Sequence, residues 1–423
     1  MRHGLIALSP IAVFLLTYLG GSILAGDFYH IPVGVAFLLT CIYAIAVLRP
    51  GTLKERVDVF SHGAGQPNVM MMLWIFLLAG AFAASAKAMG AVDATVQLAM
   101  QCLPDRLILA GLFLAACFIS LSIGTSVGTI VALTPIAAGV AESAGMDTAM
   151  IVGIVVGGAF FGDNLSFISD TTIMATRTQG CRMSDKFRVN LRVVTPAAVG
   201  CLLLYVVMGT QLHTAVTSTP IDALKVLPYI VVLVTALAGV EVLVVLTVGV
   251  ILSGIVGMAY GGYDLLGWMK AMGEGMMGIS ELVIVSMLAG GLMELIKHAG
   301  GIDFFIRRTT RMIKGRRGAE FTIATLVAFT NVCTANNTVA ILTVGPIARQ
   351  IALRFGIDPR RSASLLDTFS CLAQSLLPYG AQLLMAAGLA AISPVEIIPY
   401  LYYPFAMGCC AMLSIAFKRK AHL

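Results

Sequence analysis

Charged residues are scarce in this chain of 423 residues: Asp, Glu, Lys and Arg make up 11% of it, and hydrophobic residues 59%. A soluble domain carries about 25% charged residues, so the composition excludes an ordinary soluble protein. Several uncharged apolar runs reach the roughly 20 residues that a helix needs to cross a bilayer. These runs predict an all-α, polytopic membrane protein. They lie at 5–23, 31–48, 69–86, 107–141, 193–209, 226–239, 242–260, 282–293, 321–333 and 397–417.

Cysteine spacing and the placement of charge exclude further classes. The nine cysteines show no CxxC spacing, so we expect neither a disulfide framework nor a cysteine metal centre. The net charge of +6 does not indicate nucleic-acid binding, because all but four of the 27 Lys and Arg residues fall in one set of alternate loops. The four exceptions are Lys87, Arg106, Lys225 and Lys270. The positive-inside rule therefore predicts that both termini are cytoplasmic.

One segment occurs twice. Residues 78–93 read LAGAFAASAKAMGAVD and residues 288–303 read LAGGLMELIKHAGGID, an offset of 210 that holds within one residue further along the chain. We therefore predict two membrane repeats, 1–210 and 220–423. Each holds about seven apolar segments, and an odd number of crossings inverts the second copy. Inverted-topology repeats are typical of secondary transporters, whose substrate site lies where the repeats meet near the bilayer midplane.

Each repeat is interrupted twice by polar residues or helix breakers. SIGTSVGT at 122–129 and TANNT at 334–338 separate apolar runs, and we predict that both are tips of re-entrant hairpins. Two full crossings would also return the chain to the side from which it started, so the number of apolar segments does not distinguish them from a hairpin. GDNLSFISDTT at 162–172 and AQSLLPYGAQL at 373–383 are predicted breaks in discontinuous transmembrane helices. Irregular backbone at membrane depth is tolerated only where protein buries it or a cavity exposes it.

Oxygen-bearing side chains cluster in these interruptions. Acids inside a membrane are functional candidates because an uncompensated charge there is costly. Asp163 and Asp170 lie about 10.5 Å apart along a continuous helix, too far to share one ion, so we expect the helix to unwind between them. Oxygen atoms suit a hard cation such as Na⁺. The predicted cation- or proton-binding residues are Asp163, Asn164, Ser169, Asp170, Thr125, Ser126, Thr129, Asn336, Asn337, Thr338, Asp367 and Gln374, with Asp163, Asn164, Thr125 and Asn337 as the Na⁺ ligands.

A carboxylate removed from water holds a proton more readily, and it can exchange that proton for a cation. Mutual exclusion of H⁺ and Na⁺ at Asp163 is sufficient for antiport, provided that only the occupied forms of the protein change which side they face. No Lys or Arg lies in either motif core, which favours a bare cation as cargo. Gln374 stands where Asp163 stands in the other repeat, so the two halves need not bind alike.

Simpler roles compete with these. Small residues in SIGTSVGT also favour close helix packing, and Asp163 and Asp170 can cap helix ends. Glu294 and Lys297, three residues apart, are predicted to pair near the inner end of a helix. An intramembrane aspartyl protease is disfavoured because both acids lie on one segment, so we expect a protein that is not an enzyme.

The residues 124–129 (GTSVGT) and 162–172 (GDNLSFISDTT) resemble the NhaC-type Na⁺/H⁺ antiporters of the ion-transporter superfamily. The chain departs from that family's pattern at Val127 and Phe167. The resemblance implies inverted repeats with re-entrant hairpins, exchange of Na⁺ (or Li⁺ or K⁺) for H⁺ by alternating access in a bacterial cytoplasmic membrane, and possible assembly as a homodimer.

Relatives with similar motifs exchange malate and lactate or carry histidine. A Na⁺-coupled transporter of an organic acid or amino acid is therefore the alternative function. We predict that the protein lies in a lipid bilayer. We expect no cofactor beyond the transported Na⁺ and H⁺, and no nucleic-acid partner.

Overall fold

The computed structural model describes residues 2–21, 32–49, 51–102, 104–166, 169–210, 222–238, 240–311 and 313–417. Within these ranges the regular structure is helical and contains no strand, which confirms the predicted class. Phe167 and the basic residues 418–420 lie outside the described residues. By length and apolar composition, seven described helices can cross a bilayer, or nine if each of two bent pairs counts as one span.

The described part of the first half contains ten α-helices. Pro104 and Thr125 directly precede two of these helices. Both have backbone angles outside the helical region, as residues at the N-cap position do. The helices are α1 (Arg2–Leu15, followed by a π-helical turn Leu16–Gly20), α2 (Val33–Val47), α3 (Leu53–Ala64), α4 (Pro67–Ala88), α5 (Ala91–Cys102), α6 (Asp105–Ile123), α7 (Ser126–Ala144), α8 (Thr148–Leu165), α9 (Asp170–Gln179) and α10 (Met183–Gly209).

The second half repeats this order. Its helices are α11 (Ala223–Leu237), α12 (Val242–Ala259), α13 (Leu265–Gly278), α14 (Ser280–His298), α15 (Gly301–Thr310), α16 (Gly315–Thr334), α17 (Asn337–Phe355), α18 (Pro359–Ser375), α19 (Ala381–Ala390), α20 (Pro394–Ile397, followed by a 3₁₀ turn Ile398–Tyr400) and α21 (Tyr402–Ala416). Helices α13 to α19 match α3 to α9 at an offset near 210 residues, as the duplicated segment predicts.

Both predicted helix breaks are present. Helix α8 ends at Leu165 and α9 begins at Asp170, while α18 ends at Ser375 and α19 begins at Ala381. The tips of the hairpins α6–α7 and α16–α17 lie at Gly124 and Ala335, which both adopt left-handed backbone conformations. These tips adjoin the helix breaks inside the protein, which is the arrangement expected of re-entrant hairpins.

Contacts at the helix ends show that the hairpins open to opposite faces. The broken helix runs from Thr148 on one face to Gln179 on the other, and a short turn joins the end of α7 to its start. At its far end, the Gln179 side-chain amide donates a hydrogen bond of 2.8 Å to the Gly345 carbonyl in α17. Helices α7 and α17 therefore run from the centre to opposite faces. We name the face at which α9 ends the basic face, because Arg349 lies beside Gly180 there.

Glycines allow α8 to pack closely on α6, which positions the break at the end of α8. A Cβ added at Gly158 would lie 2.6 Å from the Ala116 Cβ and 2.7 Å from the Phe113 carbonyl oxygen. Neither group can rotate away, because one is fixed to the backbone and the other is backbone. Small residues are the usual means of close helix contact in membranes.

We expect Gly158→Ala to destabilise the folded protein by about 1–3 kcal/mol, because the helices must separate to admit the methyl group. Thermal unfolding of the purified protein in detergent measures this loss. Gly200→Ala in α10 is the matched control, since a Cβ there meets nothing within 4 Å. Equal unfolding temperatures for the two variants would contradict the assigned packing.

Candidate ion-binding site

A cavity of about 200 Å³ lies where both hairpin tips and both helix breaks meet. Most of the predicted site residues line it, although they come from both halves of the chain. They are Thr125, Ser126, Asp163, Ser169, Asp170, Asn336, Asn337, Thr338 and Gln374. The side chains of Asn164, Thr129 and Asp367 do not line it.

Four helices begin at this cavity, and their first residues line its wall. They are α7, α9, α17 and α19, which start at Ser126, Asp170, Asn337 and Ala381. A helix N-terminus carries a partial positive charge and free N–H groups, so it stabilises a nearby anion. The arrangement favours negative charge at the centre of the protein without a cationic side chain.

Asp163 is 5% exposed and accepts two hydroxyl hydrogen bonds. Ser126 donates to Oδ2 at 2.8 Å, and Ser169 donates to Oδ1 at 2.6 Å. The Ser126 bond comes from a hairpin tip and the Ser169 bond comes across the helix break. The carboxylate therefore holds together two of the elements that form the cavity.

Two glutamines of the second repeat extend this network. Gln374 Nε2 donates to Gln382 Oε1 at 2.9 Å, and Gln382 Nε2 donates to Ser126 Oγ at 3.0 Å. Each bond in the series points its hydrogen toward Asp163. The Gln374 Oε1 atom is buried and has no hydrogen-bond partner among the described residues. It is an oxygen available to a cation, as are the carboxylate and hydroxyl oxygens of Asp163, Ser126 and Ser169.

The unwinding predicted between Asp163 and Asp170 brings both acids to one cavity. Asp170 is exposed and lies in the first turn of α9, where a carboxylate suits the helix dipole. Ser169 precedes that turn, but its hydroxyl bonds Asp163 rather than capping α9. The two acids therefore differ in surroundings, since only Asp163 is enclosed by protein.

Lys186 is not a cytoplasmic loop residue, although the placement of basic residues in the sequence predicts that it is. Its side chain is buried, forms an ion pair with Asp367, and donates hydrogen bonds to the Asn164 carbonyl and to the Thr172 hydroxyl. A cation therefore does lie against the helix break, although none lies within the motifs. Lys186 was missed because its neighbours Arg182, Arg188 and Arg192 match the pattern of a positive loop.

This pairing removes two predicted ligands from the cavity. Asp367 is paired with Lys186, and Asn164 donates to Asp367 at 3.2 Å and accepts from Asn190 at 3.0 Å. Thr129 instead donates to the Thr125 carbonyl at 3.1 Å. Asn190 lies one turn after Lys186 in α10. Two polar residues four positions apart share one face of a helix, and this spacing was the available signal that the face is buried against other polar groups. No feature of the sequence around Gln382 indicated that it would join the site.

We expect Lys186→Met to destabilise the fold by about 3–5 kcal/mol, because it leaves the buried Asp367 carboxylate without a partner. The double variant Lys186→Met with Asp367→Asn removes both charges and should recover much of that loss. Unfolding temperatures in detergent compare the three proteins. A single variant as stable as the wild type would show that Asp367 does not depend on Lys186.

Comparison with known proteins gives a consistent result. The model of the Na+/H+ antiporter family matches residues 5–210 and 210–418. The chain is 26% identical to the Na(+)/H(+) antiporter NhaC of Bacillus subtilis over 91% of each chain. It is 27% identical to the Na(+)/H(+) antiporter NhaC of Alkalihalophilus pseudofirmus over 69% of each.

A third relative carries a different cargo by name. The Malate-2H(+)/Na(+)-lactate antiporter of Bacillus subtilis is 21% identical over 89% of this chain and 88% of its own length. The family match covers nearly the whole sequence, and it includes both hairpins and both helix breaks. The chain therefore belongs to the Na⁺/H⁺ antiporter family.

Proposed function

We propose that this protein exchanges Na⁺ for H⁺ across a membrane by alternating access, and that Asp163 carries each ion in turn. One observation supports this above the others: Asp163 is buried in the central cavity, and it has no ion-pair partner among the described residues. Its hydrogen-bond donors are neutral hydroxyls. A carboxylate in that state gains stability from either a proton or a small cation.

The surrounding groups suit both forms of Asp163. Neutral oxygens of Ser126, Ser169 and Gln374 are the ligand type that hard cations prefer. The helix N-termini offset part of the negative charge, so the carboxylate can lose its proton without a bound metal ion. Lys186 neutralises Asp367, which leaves Asp163 as the enclosed acid with an unbalanced charge. One site of this kind binds one ion at a time.

The distribution of charge supports a cytoplasmic basic face. Gly4 near the N-terminus packs against Phe304 in α15, which carries Arg307 and Arg308. Near the other end, Ser414 accepts a hydrogen bond of 2.8 Å from Arg361. By the positive-inside rule, both ends of the described chain then face the cytoplasm of a bacterial cell, across its cytoplasmic membrane. We extend the proposal to a homodimer on family resemblance alone, with no cofactor beyond the transported ions and no enzymatic activity.

A second candidate function is exchange of a small organic acid coupled to Na⁺. The Asn337 Nδ2 group is a buried donor without a hydrogen-bond partner among the described residues, and four helix N-termini face the same cavity. These are groups that bind a carboxylate cargo. The malate and lactate antiporter among the relatives makes this the alternative to test.

Asp163→Asn should abolish exchange without unfolding the protein, because an amide cannot alternate between H⁺ and Na⁺ as a carboxylate does. Purified protein in liposomes, with internal pH followed after addition of Na⁺, Li⁺ or K⁺, measures the effect. Asp58→Asn on the exposed surface of α3 is the control and should exchange normally. Normal turnover by the Asp163 variant would remove Asp163 from the mechanism. Uptake of malate, lactate or histidine without cation-driven pH change would favour the second function.

Competition of the two ions at one carboxylate also predicts a pH dependence. The half-saturating Na⁺ concentration should rise as pH falls, by up to roughly tenfold per unit, because H⁺ occupies the same site by mass action. Saturating Na⁺ should restore the maximal rate. Initial exchange rates at several fixed pH values test this. A half-saturating concentration that does not change with pH would indicate separate sites for the two ions.

A further inference from the structure

A second, smaller cavity of about 80 Å³ lies next to the central one, on the other side of a hairpin tip. The two cavities share Met72, Ala335 and Asn336 as lining residues. Ala335 and Asn336 form the tip of the α16–α17 hairpin. This tip therefore separates the smaller cavity from the chamber that holds Asp163.

The smaller cavity lies toward the basic face, and we name it the inner vestibule. Its wall includes Lys297 at the end of α14 and Ile302 at the start of α15, the helix that carries Arg307 and Arg308. The cavity on the opposite side, of about 600 Å³, shares no lining residue with the central cavity among the described residues. The structure therefore brings the central cavity closer to the basic face than to the opposite one.

Glu294 is the one acid that lines the inner vestibule among the described residues. Its side chain is 20% exposed, and its Oε2 accepts a hydrogen bond of 2.8 Å from Gln66. Lys297 lies 3.4 Å from both carboxylate oxygens, as the sequence predicts, and is 60% exposed. Because Lys297 is exposed to solvent, water weakens its attraction to the partly buried carboxylate. An incoming cation can therefore replace Lys297 at low cost.

No acid stands at the position equivalent to Glu294 in the first repeat. Ala84 stands at the position of Glu294 in the first repeat, and Ala84 lines the opposite cavity. The lysines Lys87 and Lys297 occupy equivalent positions in the two cavities, and the opposite cavity has its own acids, Asp93, Glu142 and Glu274, none of which stands at the position equivalent to Glu294.

We infer that Glu294 binds the transported cation in the inner vestibule, between the cytoplasm and the tip residues Ala335 and Asn336. This inference rests on the proposed function. The carboxylate attracts Na⁺ to the vestibule side of the tip, and Gln66 donates a hydrogen bond that holds one of its oxygens in place. Glu294 therefore stabilises the cation-loaded state that is open to the basic face, and it does not affect the state open to the opposite face.

The test compares Na⁺ dependence from the two faces, using everted and right-side-out membrane vesicles. Glu294→Gln should raise the half-saturating Na⁺ concentration at the cytoplasmic face by about two- to fivefold, the effect of a partly exposed charge. The value at the outer face should stay unchanged. The overall equilibrium of exchange does not depend on the protein, so the ratio of maximal rate to half-saturating concentration at one face is fixed by the ratio at the other. Where translocation limits the rate, the maximal rate from the cytoplasmic face should therefore rise by the same factor.

Two further variants separate this role from a structural one. Lys297→Met removes the competing cation and should lower the half-saturating concentration at the cytoplasmic face. Glu274→Gln is the matched control, because Glu274 lines the opposite cavity and pairs with Lys270 one turn away. It should leave the cytoplasmic value unchanged.

The outcomes distinguish the inference from the function on which it rests. Wild-type vesicles that exchange no cation for H⁺ would contradict the proposed function and the inference together. Normal wild-type exchange, with a Glu294→Gln variant unchanged at both faces or altered equally at both, would contradict the role of Glu294 alone.

Discussion

The architecture depends on a buried carboxylate that has no ion-pair partner in the part of the chain that the structure describes. Asp163 lies at the centre of the protein, where an uncompensated charge costs several kcal/mol. Two hydroxyl donors and the ends of four helices offset part of this cost. In the proposed mechanism, the remaining cost is recovered when a proton or a cation binds. The hairpin tips and the helix breaks are needed because continuous helices would expose neither N-termini nor free oxygens at that depth.

The neighbouring acid shows the contrasting solution. Asp367 is as deeply buried as Asp163, but Lys186 pairs with it, and Asn164 and Asn190 donate to the same oxygen. A paired charge of this kind holds no further cation without displacing the lysine. The two acids lie in the same region of the protein and are joined through the adjacent residues Asp163 and Asn164. Asp163 is the one that we propose for exchange, and Asp367 holds α10 against the broken helix through Lys186.

The duplication places equivalent backbone on both sides of the cavity and different side chains on each. Each repeat contributes a hairpin tip and a broken helix, which explains why two sets of helix N-termini converge. The carboxylate of the first repeat corresponds to Gln374 in the second, and Gln374 donates into the network that ends at Asp163. The second repeat therefore contributes hydrogen bonds to the network around the carboxylate of the first.

The sequence by itself determined the membrane class, the duplication, the four interruptions and Asp163 as the leading candidate, because apolar runs, repeated segments and helix breakers are local properties of the chain. Only the tertiary structure decided which polar side chains meet. Lys186 had the sequence context of a loop cation and is buried against Asp367. Gln382 joined the network without any motif, and Asp170 proved exposed although it lies in the same motif as Asp163. Hydrogen bonding and charge compensation depend on atoms brought together from distant segments, and the order of residues does not state those distances.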